Sequence, residues 1–345
     1  MKLRRVGVSL GLIALILAGC GVPTASVPAP TPLPAATITP TPDPLAQALE
    51  LAEQVSADRL MADVRWLADD ARRGRLTGSP EEDEVGRWLV QRFQELGLGI
   101  FASAGLEGYY LPFVAPAVTR YGRAGEGGTV SGENVVAVLP GTRQPDLYVY
   151  IGAHYDHLGV APDGQVFNGA DDDATGVAAV LEAARVLSRS GLQPQETVVF
   201  VAFSGEEIGA LGSNALCEQL TASGLTDRSM LLNMEVLGAE KGAGTYLDVW
   251  DEEVASTEPL VDALQLAGGQ LGIPVKQGGR DPGSDALRLI ACGVPAVSVD
   301  VAWSFENHPH YHQPSDDPQH IDVDGFRHGV QVAIAALWLL ANDGS

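Results

Sequence analysis

The chain has 345 residues, 46% of them hydrophobic and 19% charged, an ordinary globular composition long enough to bury a large core. Its formal charge of −23 argues against nucleic acid or an anionic lipid surface as a partner and suits the binding of cations. With only three cysteines, it is not a disulfide scaffold.

The chain opens on "MKLRRVGVSLGLIALILAGC". Lys2, Arg4 and Arg5 form a basic start, an apolar run follows from about Val6 to Ala18, and small residues end it. This is an export signal, too short for a typical membrane span. Its Leu17-Ala18-Gly19-Cys20 ending resembles a bacterial lipobox, which implies that residues 1–19 are removed and Cys20 is lipidated. Cleavage there would take the charge from −23 to −26. Residues 20–45 are rich in Pro, Thr and Ala, with eight of the 22 prolines and no charge before Asp43. They read as an extended spacer reaching ~3 Å per residue. The expected location is the outer face of a membrane, held only through Cys20, or the exterior after release.

Residues 46–345 read as a single domain. Amphipathic helices are predicted over 58–72 and 80–97, the second with Pro80 and acids in its first turn and Gly97 near its end. Strands follow at 134–141 and 146–154, then a helix over 174–191 stopped by Gly191. An apolar strand runs into charge over 196–207, and a helix continues to about residue 222. A strand at 229–238, a helix near 257–271, a short strand near 296–301 and a closing helix near 323–341 complete the order. Cys217 and Cys292 are expected to be buried free thiols.

Strands alternating with helices predict an α/β fold, a three-layer sandwich with a central, largely parallel sheet and helices on both faces. In such sheets ligands gather at the carboxyl ends of the strands. The residues found there are His154 and Asp156, Glu206 and Glu207, and Glu235. Asp171, Asp172 and Asp173 precede the first central helix, and His308, His310 and His312 come late in the chain. Almost no Lys or Arg accompanies them. Carboxylates at that density need compensation, which divalent cations supply. Imidazole and carboxylate without thiolate suit catalytic zinc, and the surplus of donors suggests two ions ~3.5–4 Å apart, clamped by a bridging carboxylate.

The motifs "GAHYDH", "GADDDATG", "FSGEEIGALGS", "LLNMEVLG", "GSDALRLIACGVPAV" and "YHQPSDDPQHID", in this order, resemble the secreted zinc aminopeptidases with two co-catalytic metals, relatives of glutamate carboxypeptidase and glutaminyl cyclase. "RRGRLTGSPEE" at 72–82 resembles their amino-terminal segment. The resemblance covers nearly all of residues 58–340. It implies His154, Asp172, Glu207, Glu235 and His312 as metal ligands, with Asp172 as the bridge. It implies Glu206 as general base, Tyr311 as a hydroxyl near the developing oxyanion, and a cis peptide between Asp172 and Asp173. Asp156 is implied to orient His154, while Asp171, Asp173 and Asp285 take supporting or capping positions. His157, His308 and His310 match no ligand position and are expected on the pocket wall or the surface. Three departures stand out: Glu235 where the family often has aspartate, Ala286 where it has histidine, and His157 in place of a small residue.

The function implied is removal of the amino-terminal residue of peptides, with two Zn2+ ions or other divalent metals; a monomer acting on peptides and not on nucleic acid is expected. Cyclisation of amino-terminal glutamine, carboxypeptidase or dipeptidase action on the same fold, and a non-catalytic binding lipoprotein are the alternatives. With 104 residues between Glu207 and His312, filled by core elements, no inserted lid domain is expected.

Overall fold

Asp43 caps α1 (Pro44–Glu53), and the computed structural model describes residues 43–116, 128–281 and 283–343. The export signal, Cys20 and the spacer up to residue 42 lie outside the described residues. Helix α1 begins within the stretch read as spacer, because Asp43 accepts the Leu45 N–H and Pro44 stands where a missing N–H costs nothing. Helix α2 (Ala57–Leu67) ends earlier than expected and gives way to a tight turn over Asp70–Arg75. In α3 (Pro80–Glu95), Ser79 accepts the Glu82 N–H, and Glu81, Glu82 and Asp83 face the positive end of the helix.

The strands and remaining helices follow as β1 (Tyr110–Pro116), β2 (Thr129–Leu139), β3 (Gln144–His154), α4 (Thr175–Arg189), β4 (Glu196–Phe203), α5 (Leu211–Ser223) and β5 (Ser229–Met234). Then come β6 (Leu247–Trp250), α6 (Glu258–Leu271), β7 (Val275–Gly279), α7 (Asp285–Ala291), β8 (Ala296–Val301) and α8 (Val323–Leu340). Five of these elements were not anticipated: α1, β1, β6, β7 and α7. The three strands are short or carry Pro or Gly, as in "YLPFVAP" and "VKQGG", and lack the apolar run that marks a buried strand.

The strands, eight among the described residues, form one sheet in the order β1-β2-β4-β3-β5-β8-β6-β7. Strands β4, β3, β5 and β8 are parallel and central, β1, β2 and β6 join antiparallel, and β7 pairs parallel with β6. Side-chain alternation divides the core into two layers. In β4, Val198, Phe200 and Ala202 face the larger layer, shared with α1, α2, α3, α4, α6 and α8, while Val199, Val201 and Phe203 face the smaller one under α5 and α7. The expected three-layer sandwich is therefore the fold observed. Among the described residues no helix is long and apolar enough to cross a membrane.

The pairing of α5 with α7 corrects one expectation. Cys217 and Cys292 sit on these neighbouring helices with Cα atoms 6.1 Å apart and form a disulfide; both are half-buried, not buried free thiols. At the amino-terminal edge of the central strands, the end of α8 is tied to the start of β4, where the Gln195 and Glu196 N–H groups donate to the Ala341 carbonyl at 3.1 and 3.0 Å. Pro44 lies beside this end of α8, next to Leu339, Leu340 and Asn342.

Candidate metal centre and active site

Because β3, β4, β5 and β8 run parallel, their carboxyl ends open on the same edge of the sheet. His154 is the last residue of β3; Glu206 and Glu207 follow β4; Glu235 follows β5; and the loop after β8 carries Tyr311 and His312. The aspartate run enters from the turn that starts α4, and the peptide between Asp172 and Asp173 is cis, as the resemblance implies.

Asp172 stands between two histidines. Its Oδ1 is 3.0 Å from His154 Nε2 and its Oδ2 is 2.9 Å from His312 Nε2, so each oxygen serves a different imidazole. Glu235 Oε2 lies 3.9 Å from the same nitrogen of His154, and Glu207 Oε2 lies 3.5 Å from His312 Nε2. The fold thus divides the five residues into two overlapping groups, His154–Asp172–Glu235 and His312–Asp172–Glu207, with Asp172 common to both. Asp172 and Glu207 are buried, and the Glu235 side chain is 15% exposed. Burial, then the charges of Asp172 and Glu206, push Glu207 well above the usual carboxylate range, and burial does the same for Glu235, with Asp173 and Glu206 adding to it. Burial works against the charge on Asp172 too, but hydrogen bonds from His154 and His312 outweigh it and hold the carboxyl well below that range. Apart from imidazole contacts, Asp172 Oδ2 and both Glu207 oxygens have no hydrogen-bond partner among the described residues. Buried oxygens without donors, facing imidazoles and with no thiolate near, fit a pair of zinc-like cations.

The supporting groups are more specific than the sequence indicated. Asp156 is buried; its Oδ1 accepts the Glu206 N–H at 3.1 Å, and its Oδ2 accepts the Thr77 hydroxyl at 2.7 Å and the Glu207 N–H at 3.4 Å. It therefore fixes the glutamate pair as directly as it fixes His154. His154 Nδ1 meets the Asp156 carbonyl at 3.1 Å, with the carboxylate farther away at 3.6 Å. Asp173 accepts the N–H groups of His154 and Gly176, which makes it both a brace for β3 and a helix cap. Asp171 accepts the Gly238 N–H and faces His308. Asp285 is fully buried in the first turn of α7, where burial and then Glu206 push its carboxyl up to about 8.

Four residues with parts in this architecture escaped the sequence reading. Asp316 accepts the N–H groups of Asp171 and Asp172 at 2.9 and 3.1 Å and so shapes the aspartate turn. Arg75, fully buried, donates to the carbonyls of Tyr155, Leu67, Asn168 and Gly169, tying β3's exit to the same turn. His308, expected on the pocket wall or surface, is buried and bonds Asp171 Oδ2 and the Val301 carbonyl; burial opposes its charge, but these partners raise its pKa to about 9. His157, given the same expectation, is fully buried with Nδ1 2.7 Å from Glu207 Oε1. Only "PSDDP" and "RRGRL" hinted at Asp316 and Arg75, and hydrophobic patterning carries no signal for either histidine. His310 is half-buried near the surface, its ring centre 3.8 Å from that of His320 and tilted to it by 33°.

A cavity opens beside the first group of ligands. His154, Glu206 and Glu235 line its inner end. Trp250, Trp303, Phe305 and Tyr311 form aromatic walls, and Asp281 and Asp300 add carboxyls. Tyr311 stacks on His312 at 3.9 Å and meets Trp303 edge-on. The Asp300 carboxyl, pushed up to about 8 by burial, accepts the Trp250 indole N–H at 2.5 Å. Among the described residues lining the cavity there is no Lys or Arg.

The family model for peptidase family M28 matches residues 134–337. A probable zinc metalloprotease of Pyrenophora teres f. teres is 27% identical over 326 residues, covering 85% of this chain and 66% of that protein. The chain spans 41% to 66% of the length of the first curated relatives it matches. A zinc aminopeptidase from Bacillus subtilis superposes with a TM-score of 0.69 at 15% identity, covering 84% of this chain and 97% of that one. The glutaminyl cyclase of Fimbriiglobus ruber superposes with a TM-score of 0.66 at 21% identity, covering 83% and 96%. At these identities the structural likeness bears on the fold.

Proposed function

Because the chain belongs to peptidase family M28, we propose that it is a zinc-dependent aminopeptidase that hydrolyses the first peptide bond of peptides. His154, Asp172 and Glu235 would hold one ion and His312, Asp172 and Glu207 the other. When bound, the ions supply Lewis-acid polarisation of the scissile carbonyl and a more acidic water. Glu206 accepts the proton of the attacking water at its carboxylate and returns it to the leaving amine. Asp156, through the Glu206 and Glu207 N–H groups, keeps that carboxylate at the cavity end. Tyr311 supplies a hydroxyl donor for charge developing on the carbonyl oxygen.

One observation carries the choice of substrate end. The cavity presents Glu206, Glu235, Asp281 and Asp300 and, among the described residues, no Lys or Arg. A free α-amine is complementary to that lining, whereas a terminal carboxylate finds no cation. The test is a panel of free and N-acetylated aminoacyl anilides, with chelator and with added zinc. Zinc-dependent cleavage confined to the free amines is expected; equal cleavage of the acetylated set would refute the assignment. A glutamine-terminated peptide belongs in the panel, since its conversion to a cyclic product without hydrolysis would favour a cyclase. We assign residues 1–19 to a signal peptide, Cys20 to lipidation and residues 46–345 to a single catalytic domain acting as a monomer outside the cytoplasm. Mass spectrometry of the mature amino terminus tests this placement: an unmodified Cys20 would refute the anchor.

A further inference from the structure

The proposed ligand set leaves His157 without a task. It stands three residues after His154 at full burial, and neither of its ring nitrogens makes a hydrogen bond. An imidazole hidden from water with both nitrogens unsatisfied is costly unless something else meets them. Its Nδ1 points into the second ligand group, 2.7 Å from Glu207 Oε1 and 3.8 Å from Asp172 Oδ2. His312 Nε2 approaches the same two carboxylates, 2.9 Å from Asp172 Oδ2 and 3.5 Å from Glu207 Oε2. Donor atoms around a tetrahedral zinc, each ~2.0–2.2 Å from the ion, stand roughly 3.3 Å from one another. His157, Asp172 and Glu207 thus offer ligand atoms that all lie within 4.8 Å of one another, and His312 approaches the same two carboxylates.

Three further observations agree. Asp172 Oδ2 and both Glu207 oxygens have no hydrogen-bond partner besides these histidines among the described residues. In the first group, by contrast, Asn233 donates to Glu235 and His154 Nδ1 meets the Asp156 carbonyl. The backbone at His157 is fixed by its main-chain N–H, which donates to the Arg75 carbonyl at 3.1 Å, and its ring packs against Gly169, at φ +58, where a Cβ would come within 2.6 Å of it. The cavity, finally, is lined by His154, Glu206 and Glu235 but not by His157, Asp172 or Glu207.

We propose that His157 is a fourth protein ligand of the ion held by Asp172, Glu207 and His312, so that this position is closed while the one at His154, Asp172 and Glu235 stays open to substrate. The proposal rests on the reading of the centre as a two-metal site. It makes the two ions unequal. Four protein donors are the pattern of a structural zinc, and three with a free position are the pattern of a catalytic one. The closed position fills first and empties last.

The test reads coordination and not turnover. Metal-free protein is loaded with one and then two equivalents of zinc, and X-ray absorption counts the imidazoles per ion. About two are expected at one equivalent and about 1.5 at two, since three histidines then serve two ions. A count of about one at two equivalents would overturn the proposal and leave His157 as a neighbour that steers Glu207. If zinc fails to bind at all, the two-metal reading falls instead. In His157→Ser the count should drop to about one, and affinity for the first equivalent should fall by more than the ~10–100-fold that losing a mere supporting partner costs. A smaller loss also counts against ligation. The wild-type count stands even if that variant does not fold.

Discussion

Replacing Arg75 with methionine removes four hydrogen bonds in one step, those to the carbonyls of Tyr155, Leu67, Asn168 and Gly169. Bonds from a charged donor contribute at least ~1.5 kcal/mol each, or about 6 kcal/mol together. The apolar stem of methionine keeps part of the packing, and the cost of burying the guanidinium disappears. The expected net loss is therefore about 3–5 kcal/mol, in line with breaking other buried charged networks. Set against a typical stability of about 5–15 kcal/mol, that is a large fraction. Arg75 also faces Asp316, Asp172, Asp156 and Asp173, so the loss should be larger in chelator than with zinc present, where the ions share the compensation. The measurement is urea unfolding at fixed pH, with chelator and with saturating zinc. Arg75→Lys should fall between wild type and methionine, because an ammonium cannot span carbonyls that a planar guanidinium reaches in several directions. If Arg75→Met unfolds within about 1 kcal/mol of wild type in chelator, the account of Arg75 as the tie behind the aspartate turn is wrong.

Glu206→Gln should keep its zinc, measured by metal analysis, while turnover of a free-amine anilide falls by about 10²–10⁴-fold; near-normal turnover would remove Glu206 as the base. Burial, and then Asp343, raise the Glu196 carboxyl to about 7, above its unfolded value, so this group stabilises the protein at low pH and the contribution is lost as pH rises from about 4.5 to 7. Glu196→Gln should flatten that part of the pH–stability curve, and an unchanged slope in denaturant titrations would contradict the argument. The Cys217–Cys292 bond closes a loop over a sequence separation of 75 residues, for which chain entropy gives about 4.5 kcal/mol. Cys217→Ser should therefore lower the urea midpoint, and reductant should shift the wild type but not the variant.

Much of the architecture was legible because burial on both faces writes long apolar runs into a sequence. "VYIGAH" and "TVVFVAF" announce central parallel strands, and their carboxyl ends mark where His154, Glu206 and Glu207 emerge. Residues from five separated segments could be grouped only because parallel strands share an exit edge. What stayed hidden depends on contacts between distant segments. Nothing near Arg75 reveals that it reaches Tyr155, 80 residues on, and nothing in "PSDDP" says which of its aspartates turns inward. His157 looked like an ordinary substitution beside a ligand until the fold buried it against Glu207. The edge strands were missed because a half-exposed strand need not be apolar. The disulfide was missed because pairing of α5 with α7 is a property of the packed sheet face.

The position of the first helix has a practical meaning. Pro44 sits against the end of α8, and α8 is bonded to the start of β4, whereas the ligands cluster where β4 finishes. The first helix thus attaches at the pole of the sheet remote from the cavity mouth. The domain can be gripped there, by a fusion, a resin or a tether, with its substrate entrance left clear. The same grip placed on the loop after β8 would sit on the entrance itself.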